Sequence, residues 1–164
     1  MATPTSLPAA VSTGDVGTAA QFNNLRGAFR ILQVVQGSTA SQAFSTSTTF
    51  ANTGLSASIT PQSSTNKILA IVAGTGFAST AATDTAIRLT RDQPSAPTVL
   101  STVSCAYSSA GAVIGTYSIV YLDSPATTAA LTYRTQLARN AGTGISYDEI
   151  NGSLTTLTLM EISA

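Results

Sequence analysis

From residue 31 to the end of the chain, apolar and polar residues alternate in short runs with period two. This is the pattern of strands that turn one face to a core, and clusters of Gly, Pro, Asn, Asp and Ser punctuate it. The most apolar stretch, residues 48–74 (TTFANTGLSASITPQSSTNKILAIVAG), reads as a strand ending near Phe50, a turn at Asn52-Thr53-Gly54 and an alternating strand through Leu55, Ala57 and Ile59. A break at Pro61 and a second strand from Lys67 complete it. The same reading over the whole chain predicts strands at 31–36, 46–50, 55–60, 67–73, 85–91, 98–107, 113–122, 131–138, 144–150 and 154–162. No helical period lies between them, so the pairing is expected to be antiparallel. The fold class this predicts is all-β, an antiparallel jelly roll or β-sandwich of about eight to ten strands.

Two stretches refine the expectation. In 116–122, Tyr117, Ile119 and Tyr121 share one face while Ser118, Val120 and Leu122 share the other, which predicts an inner strand covered on both sides. Asp123, Ser124 and Pro125 end it. Leu131, Tyr133, Thr135 and Leu137 then alternate with Thr132, Arg134 and Gln136, so the two strands are expected to form a hairpin. The terminal run sets Leu157, Leu159 and Glu161 against Thr156, Thr158, Met160 and Ile162, placing the end of the chain inside a sheet.

The first 30 residues follow another rule. Thr18 and Gln21 have the spacing of a capping box. Phe22, Leu25 and Phe29 then recur at helical spacing, with Arg26 and Arg30 in the last turn, where cations complement the helix dipole. One helix of about three turns is predicted. Its apolar face suits packing on the sheet edge or docking on a partner protein, with Arg26 and Arg30 available for carboxylates. Residues 1–17, with Pro4, Pro8, Gly14 and Gly17, read as an extended arm. The predicted organisation is therefore 1–30, arm and short helix, and 31–164, β-sandwich.

Composition changes this picture in one respect. Hydrophobic residues make up 43% and charged residues only 9%, against about 25% charged in an ordinary domain. Serine and threonine, 48 of 164 residues, cover the surface instead. Formal net charge is zero and mean hydropathy is +0.25, so little electrostatic repulsion opposes self-association. An assembled protein is the expectation. Cations are paired at most, as in Arg26 with Arg30 and Arg88 with Arg91, so nucleic acid is not expected as a partner. No apolar run approaches the roughly 18 residues of a membrane span, and the N-terminus lacks the charged start and apolar core of a signal peptide. The expectation is no membrane, and residence in the cytosol or in a particle assembled there.

The chain is poor in reactive groups. It has no histidine, one cysteine, Cys105, and one lysine, Lys67. General-base, metal-ligand and activated-nucleophile chemistry all lose their usual side chains. Cys105, between Val103 and Ala106, is expected to be a small buried residue. Asp148 and Glu149 are adjacent and are expected to be solvated in a loop or paired with Arg139. Gly74-Thr75-Gly76 and Gly142-Thr143-Gly144 lack the further Gly or Lys of a phosphate loop and read as turns. No catalytic residue, metal site or cofactor is expected, and the chain is read as a non-enzyme. Surface recognition remains, for which Tyr107, Tyr117, Tyr121, Tyr133 and Tyr147 are candidates as subunit contacts or a carbohydrate-binding patch.

The 48–74 stretch combines a Thr-rich strand, a TGL turn, an alternating strand ending in ITP, a Ser-rich loop and KIL. It resembles a pattern in virion proteins of tailed bacteriophages. YSIVYLDSPATTAALTYRTQLA (117–138) and LTLMEI (157–162) resemble the closing strands of the same group, so the likeness covers most of 31–162. The resemblance implies a jelly-roll or sandwich trimer serving as a capsid decoration (cement) protein or as a tail-fibre or tailspike module for host-receptor binding. The short region before the sandwich favours the capsid role. On that reading the protein is a homo-trimer bound to the major capsid protein on the outer capsid surface of a virion assembled in the host cytoplasm. Residues 1–17 with Phe22, Arg26 and Arg30 contact the shell, and the sandwich supplies the trimer interface.

Overall fold

The computed structural model describes residues 31–92 and 97–164. The predicted arm and helix, with Phe22, Arg26 and Arg30, lie outside the described residues. Ten strands follow in order: β1 (Ile31–Thr39), β2 (Ala43–Ser45), β3 (Ala51–Ile59), β4 (Lys67–Ala78), β5 (Asp84–Arg91), β6 (Thr98–Tyr107), β7 (Val113–Asp123), β8 (Leu131–Ala141), β9 (Ser146–Asp148) and β10 (Thr155–Ile162). Every pairing is antiparallel. Two sheets result, and the all-β sandwich expected from the alternation is the fold.

Sheet A is organised on β4. One edge of β4 pairs with β7 from Ile68 to Ala78. The other pairs first with β10, from Lys67 to Ala73, and then with β9, from Gly76 to Ala78. β1 lies outside β10 and β2 outside β9. Sheet B has the order β3-β8-β5-β6. Between the sheets pack Leu55 and Ile59 of β3, Ile68 and Val72 of β4, Ile87 and Leu89 of β5, Leu137 of β8, and Leu157 and Leu159 of β10, all at most 2% exposed. Each such side chain contributes about 1.5 to 3 kcal/mol by leaving water.

The ends of the core are closed by buried polar groups with assigned partners. At one end Asp123 accepts a hydrogen bond from the Tyr133 hydroxyl (2.6 Å) and an ion pair from Arg91. Glu161, fully buried, accepts from Gln33 Nε2 (2.5 Å), the Gln62 amide (2.7 Å) and Asn66 Nδ2 (2.6 Å). Burial alone would raise its pKa, but these donors outweigh burial and lower it. At both open sides the edge strands of the two sheets nearly touch. A Cβ on Gly37 of β1 would lie 2.1 Å from the Ser56 carbonyl oxygen of β3, and one on Gly115 of β7 would lie 1.8 Å from the Cys105 oxygen of β6. Only glycine permits that approach.

Several local expectations are corrected. Asn52-Thr53-Gly54 is not a turn: β3 runs through it, with Gly54 at φ +96° where the register with β8 shifts, as in a β-bulge. The predicted strand at 46–50 is absent, and β2 precedes it. Gly74-Thr75-Gly76 lies within β4, paired with β7, whereas 142–144 is a bend as expected. β7 is an edge of sheet A and not an inner strand. It forms no hairpin with β8, because residues 124–130 carry the chain across to sheet B.

Candidate functional site

The outward faces of the two sheets differ in chemistry. On sheet B the outward side chains are polar and bonded to one another. Arg88 donates through Nε to Gln136 Oε1 (2.7 Å) with its guanidinium 4.1 Å over the Phe50 ring, and Gln136 Nε2 donates to Asn52 Oδ1 (2.8 Å). Ser58 and Thr132 hydroxyls bond at 2.8 Å, and Arg134 pairs with Asp92. This is an ordinary wet face of an antiparallel sheet.

Sheet A turns outward the residues that alternate with its core positions, and the register sets them in rows across the strands. Val34, Met160, Leu69 and Leu122 form one row, and Gln36, Thr158, Ile71 and Val120 the next. Ser38, Thr156, Ala73 and Ser118 form a row of small side chains, followed by the Thr75–Thr116 pair. The far end is aromatic: Phe44, Tyr147, Phe77 and Ile114 lie side by side, with ring centroids 6.3 Å apart for Phe44–Tyr147 and 5.5 Å for Phe77–Tyr147. Val120 is 64% exposed, Val34 56%, Ile114 54% and Phe44 70%. Among the described residues the only charge on this face is Lys67, at its rim. None of the described residues covers this face, whose apolar ends flank a belt of Gln, Ser and Thr, and a monomer rarely exposes contiguous apolar patches beyond a few hundred Å².

Directly behind the aromatic end sits a buried acid pair. Asp148 alternates with Tyr147 on β9, points inward and accepts a hydrogen bond from the Tyr117 hydroxyl (2.7 Å). Burial raises its pKa to about 6, the Tyr117 bond opposes the rise, and the neighbouring Glu149 charge adds to it. Glu149 is also buried, at φ +65°, with its amide bonded to the Thr75 oxygen (2.8 Å) and Oε2 lacking a hydrogen-bond partner. The expectation that these acids are solvated or paired with Arg139 is therefore wrong: the short strand β9 docks on β4 and carries them in, while Arg139 donates to the Gly144 oxygen (3.3 Å). Burial pushes the Cys105 thiol up to about 12, with Asp148 and Asp84 adding to the rise, so it stays protonated and is not an activated nucleophile. Cys105 is half-buried and donates to the Thr85 oxygen (3.3 Å).

The tyrosines do not form one patch. Tyr117 and Tyr133 are core residues whose hydroxyls serve Asp148 and Asp123, Tyr107 is exposed at the end of β6, and Tyr147 alone joins the apolar face. The predicted shell contacts Phe22, Arg26 and Arg30 lie outside the described residues. The face itself was missed from the sequence, although its halves were visible in the alternation of Met160 with Leu159 and of Val120 with Ile119. The signal that could not be read was which strands lie side by side.

No protein-family model and no curated protein sequence matches the chain. Among solved structures, one of infectious bursal disease virus, Gt strain, aligns with 83% of this chain at 13% identity and a TM-score of 0.39, and the chain spans only 38% of its length. A CBM4 structure aligns with 79% of this chain and 92% of its own length, at 16% identity and a TM-score of 0.23. The Clostridium thermocellum xylanase Xyn10B CBM22-1–GH10 modules, complexed with xylohexaose, align with 82% of this chain and 28% of their length, at 10% identity and a TM-score of 0.26. At these scores the likenesses assign neither family nor activity.

Proposed function

We propose that this chain is a structural protein of a tailed-phage virion, a capsid decoration protein that binds the outer shell as a homo-trimer and stabilises it. The observation that carries an assembly role is the outward face of sheet A, apolar at both ends with rows of Ser and Thr between and one charge at its rim, on a sandwich whose Asp123, Asp148 and Glu161 carboxylates and Cys105 thiol are held in hydrogen bonds. The phage component comes from the motifs at 48–74, 117–138 and 157–162. On this reading residues 1–30 dock on the major capsid protein, with Phe22 as the apolar anchor and Arg26 and Arg30 meeting carboxylates. A trimer that bridges shell subunits binds only the expanded lattice and stabilises it by mass action. No catalytic group or cofactor takes part.

Co-sedimentation of the purified chain with undecorated capsids of the phage that encodes it tests the proposal. The full chain is expected to bind. An Arg26→Glu/Arg30→Glu variant is expected to bind at least about tenfold more weakly, because like charges then face the shell. Binding unchanged in that variant and in a chain lacking residues 1–30 would show that the docking assignment is wrong. Immunogold labelling of intact virions at the tail, and not over the head, would overturn the capsid role in favour of a tail-fibre module.

A further inference from the structure

We infer that the outward face of sheet A is the surface on which copies of this chain meet, with Val120, Ile71, Leu69 and the Phe44–Tyr147 corner at the contact. The inference rests on the proposed assembly role in taking a second copy as the partner. The choice of face rests on geometry. Strands about 4.8 Å apart and about 3.3 Å per residue give four strands and the length of β4 a face of roughly 19 by 40 Å, about 750 Å². A stable interface takes about 800 Å² from each partner. One whole face of this sandwich is therefore of the size a specific contact needs, and sheet B's polar face offers no equivalent.

Charge decides the occupant. A partner of another kind is normally selected by complementary charge, and this face presents nothing to complement. In a symmetric assembly of identical chains, any charge near the symmetry axis meets its like at close range. A face whose single cation, Lys67, lies at the rim avoids that repulsion, and a chain of zero net charge adds none at long range. The competing occupant is the helix predicted at 18–30, which joins the chain at β1. A three-turn helix covers roughly 18 by 10 Å, about a quarter of the face, and the arm at 1–17 with the helix is placed on the shell by the proposed function, which leaves the face to a second copy. The aromatic corner supplies the rigid, amphipathic anchors that dominate interface energies.

Light scattering on the full chain after size exclusion, at micromolar concentration, tests this. Wild type is expected to elute as an oligomer, and Val120→Glu to elute at the 16.6 kDa of one chain. The variant should keep its far-UV dichroism and cooperative melting, since Val120 is exposed and Glu at that site disturbs no core contact. Thr102→Glu, outward on sheet B beside Arg88, is expected to leave the oligomer intact. Should Val120→Glu fail to fold, Ser118→Arg on the same face serves in its place. A monomeric wild type, an oligomer that survives folded face variants, or one that Thr102→Glu dissolves would each overturn the inference. A wild-type oligomer that dissociates on Val120→Glu yet never binds capsids keeps this inference and sinks the capsid reading. A wild-type monomer that binds capsids sinks this inference and the trimer, and keeps only the attachment to the shell.

Discussion

Asp148 is the described side chain whose surroundings most oppose its usual charge. It is 1% exposed, its pKa is raised from 3.8 to about 6, and its Oδ1 holds the Tyr117 hydroxyl. A carboxyl whose folded pKa lies above its unfolded one favours the fold while protonated. Its contribution is complete below about pH 4 and is lost as pH rises through about 6. Glu161 acts in the opposite sense: its lowered folded pKa gives stability that is present above its unfolded value and lost on acidification. The Asp148→Asn variant keeps an acceptor for Tyr117 and removes the titration. It is expected to match wild type near pH 4 and to exceed it by about 2 to 3 kcal/mol near pH 8. Urea unfolding across that range measures both, and parallel pH profiles for the two proteins would show that Asp148 is not buried as its charged form requires.

At the scale of elements, what could be read from the sequence follows from what is local. Strands at 98–107, 113–122 and 154–162 end within a residue of β6, β7 and β10 because alternation and turn residues are short-range signals. β2 and β9 have three residues each and carry no period, so alternation neither places nor bounds them. Period two also tells which residues share a face without telling which strands share a sheet. Alternation puts Tyr117 with Ile119 and Tyr133 with Leu137 on one face each, yet it also predicts a β7–β8 hairpin, and the two strands lie in opposite sheets. The candidate face is lost to the sequence for the same reason, since it exists only once β1, β10, β4 and β7 are neighbours. Nor did the sequence mark the corners where β6 passes β7. A Cβ at Gly115 meets the Cys105 oxygen at 1.8 Å, a contact that backbone must yield to, whereas one at Gly111 meets nothing within 4 Å. Gly115→Ala is expected to cost roughly 2 to 3 kcal/mol and to lower Tm by about 5 to 10 °C. Gly111→Ala is expected to leave Tm unchanged, and equal melting of the two variants in calorimetry would mean that the edges can part without loss.

Taken as a whole, the molecule separates its interactions by type. Among the described residues the ion pair Arg134–Asp92 and the Arg88 network decorate sheet B, Arg91–Asp123 is locked in the core, and the outward face of sheet A is left to apolar and uncharged polar side chains with Lys67 at the rim. The two proposed attachments therefore answer differently to solvent. Salt screens exposed charges beyond about 10 Å at 0.1 M and beyond about 3 Å at 1 M, so the docking of Arg26 and Arg30 on carboxylates should weaken as NaCl rises from about 0.05 to 0.5 M. Contact between copies through sheet A has a single charge, Lys67 at its rim, and no ion pair to screen, so its association constant should change less than about threefold over the same range. It should strengthen in sulfate, which is excluded from protein surface, and weaken on cooling, as apolar burial does. Sedimentation equilibrium of the chain alone and co-sedimentation with capsids, run in parallel salt series, separate the two. An oligomer that dissociates in 0.5 M NaCl would place ion pairs at the copy-to-copy contact and remove sheet A's face from it, whatever the capsid series shows.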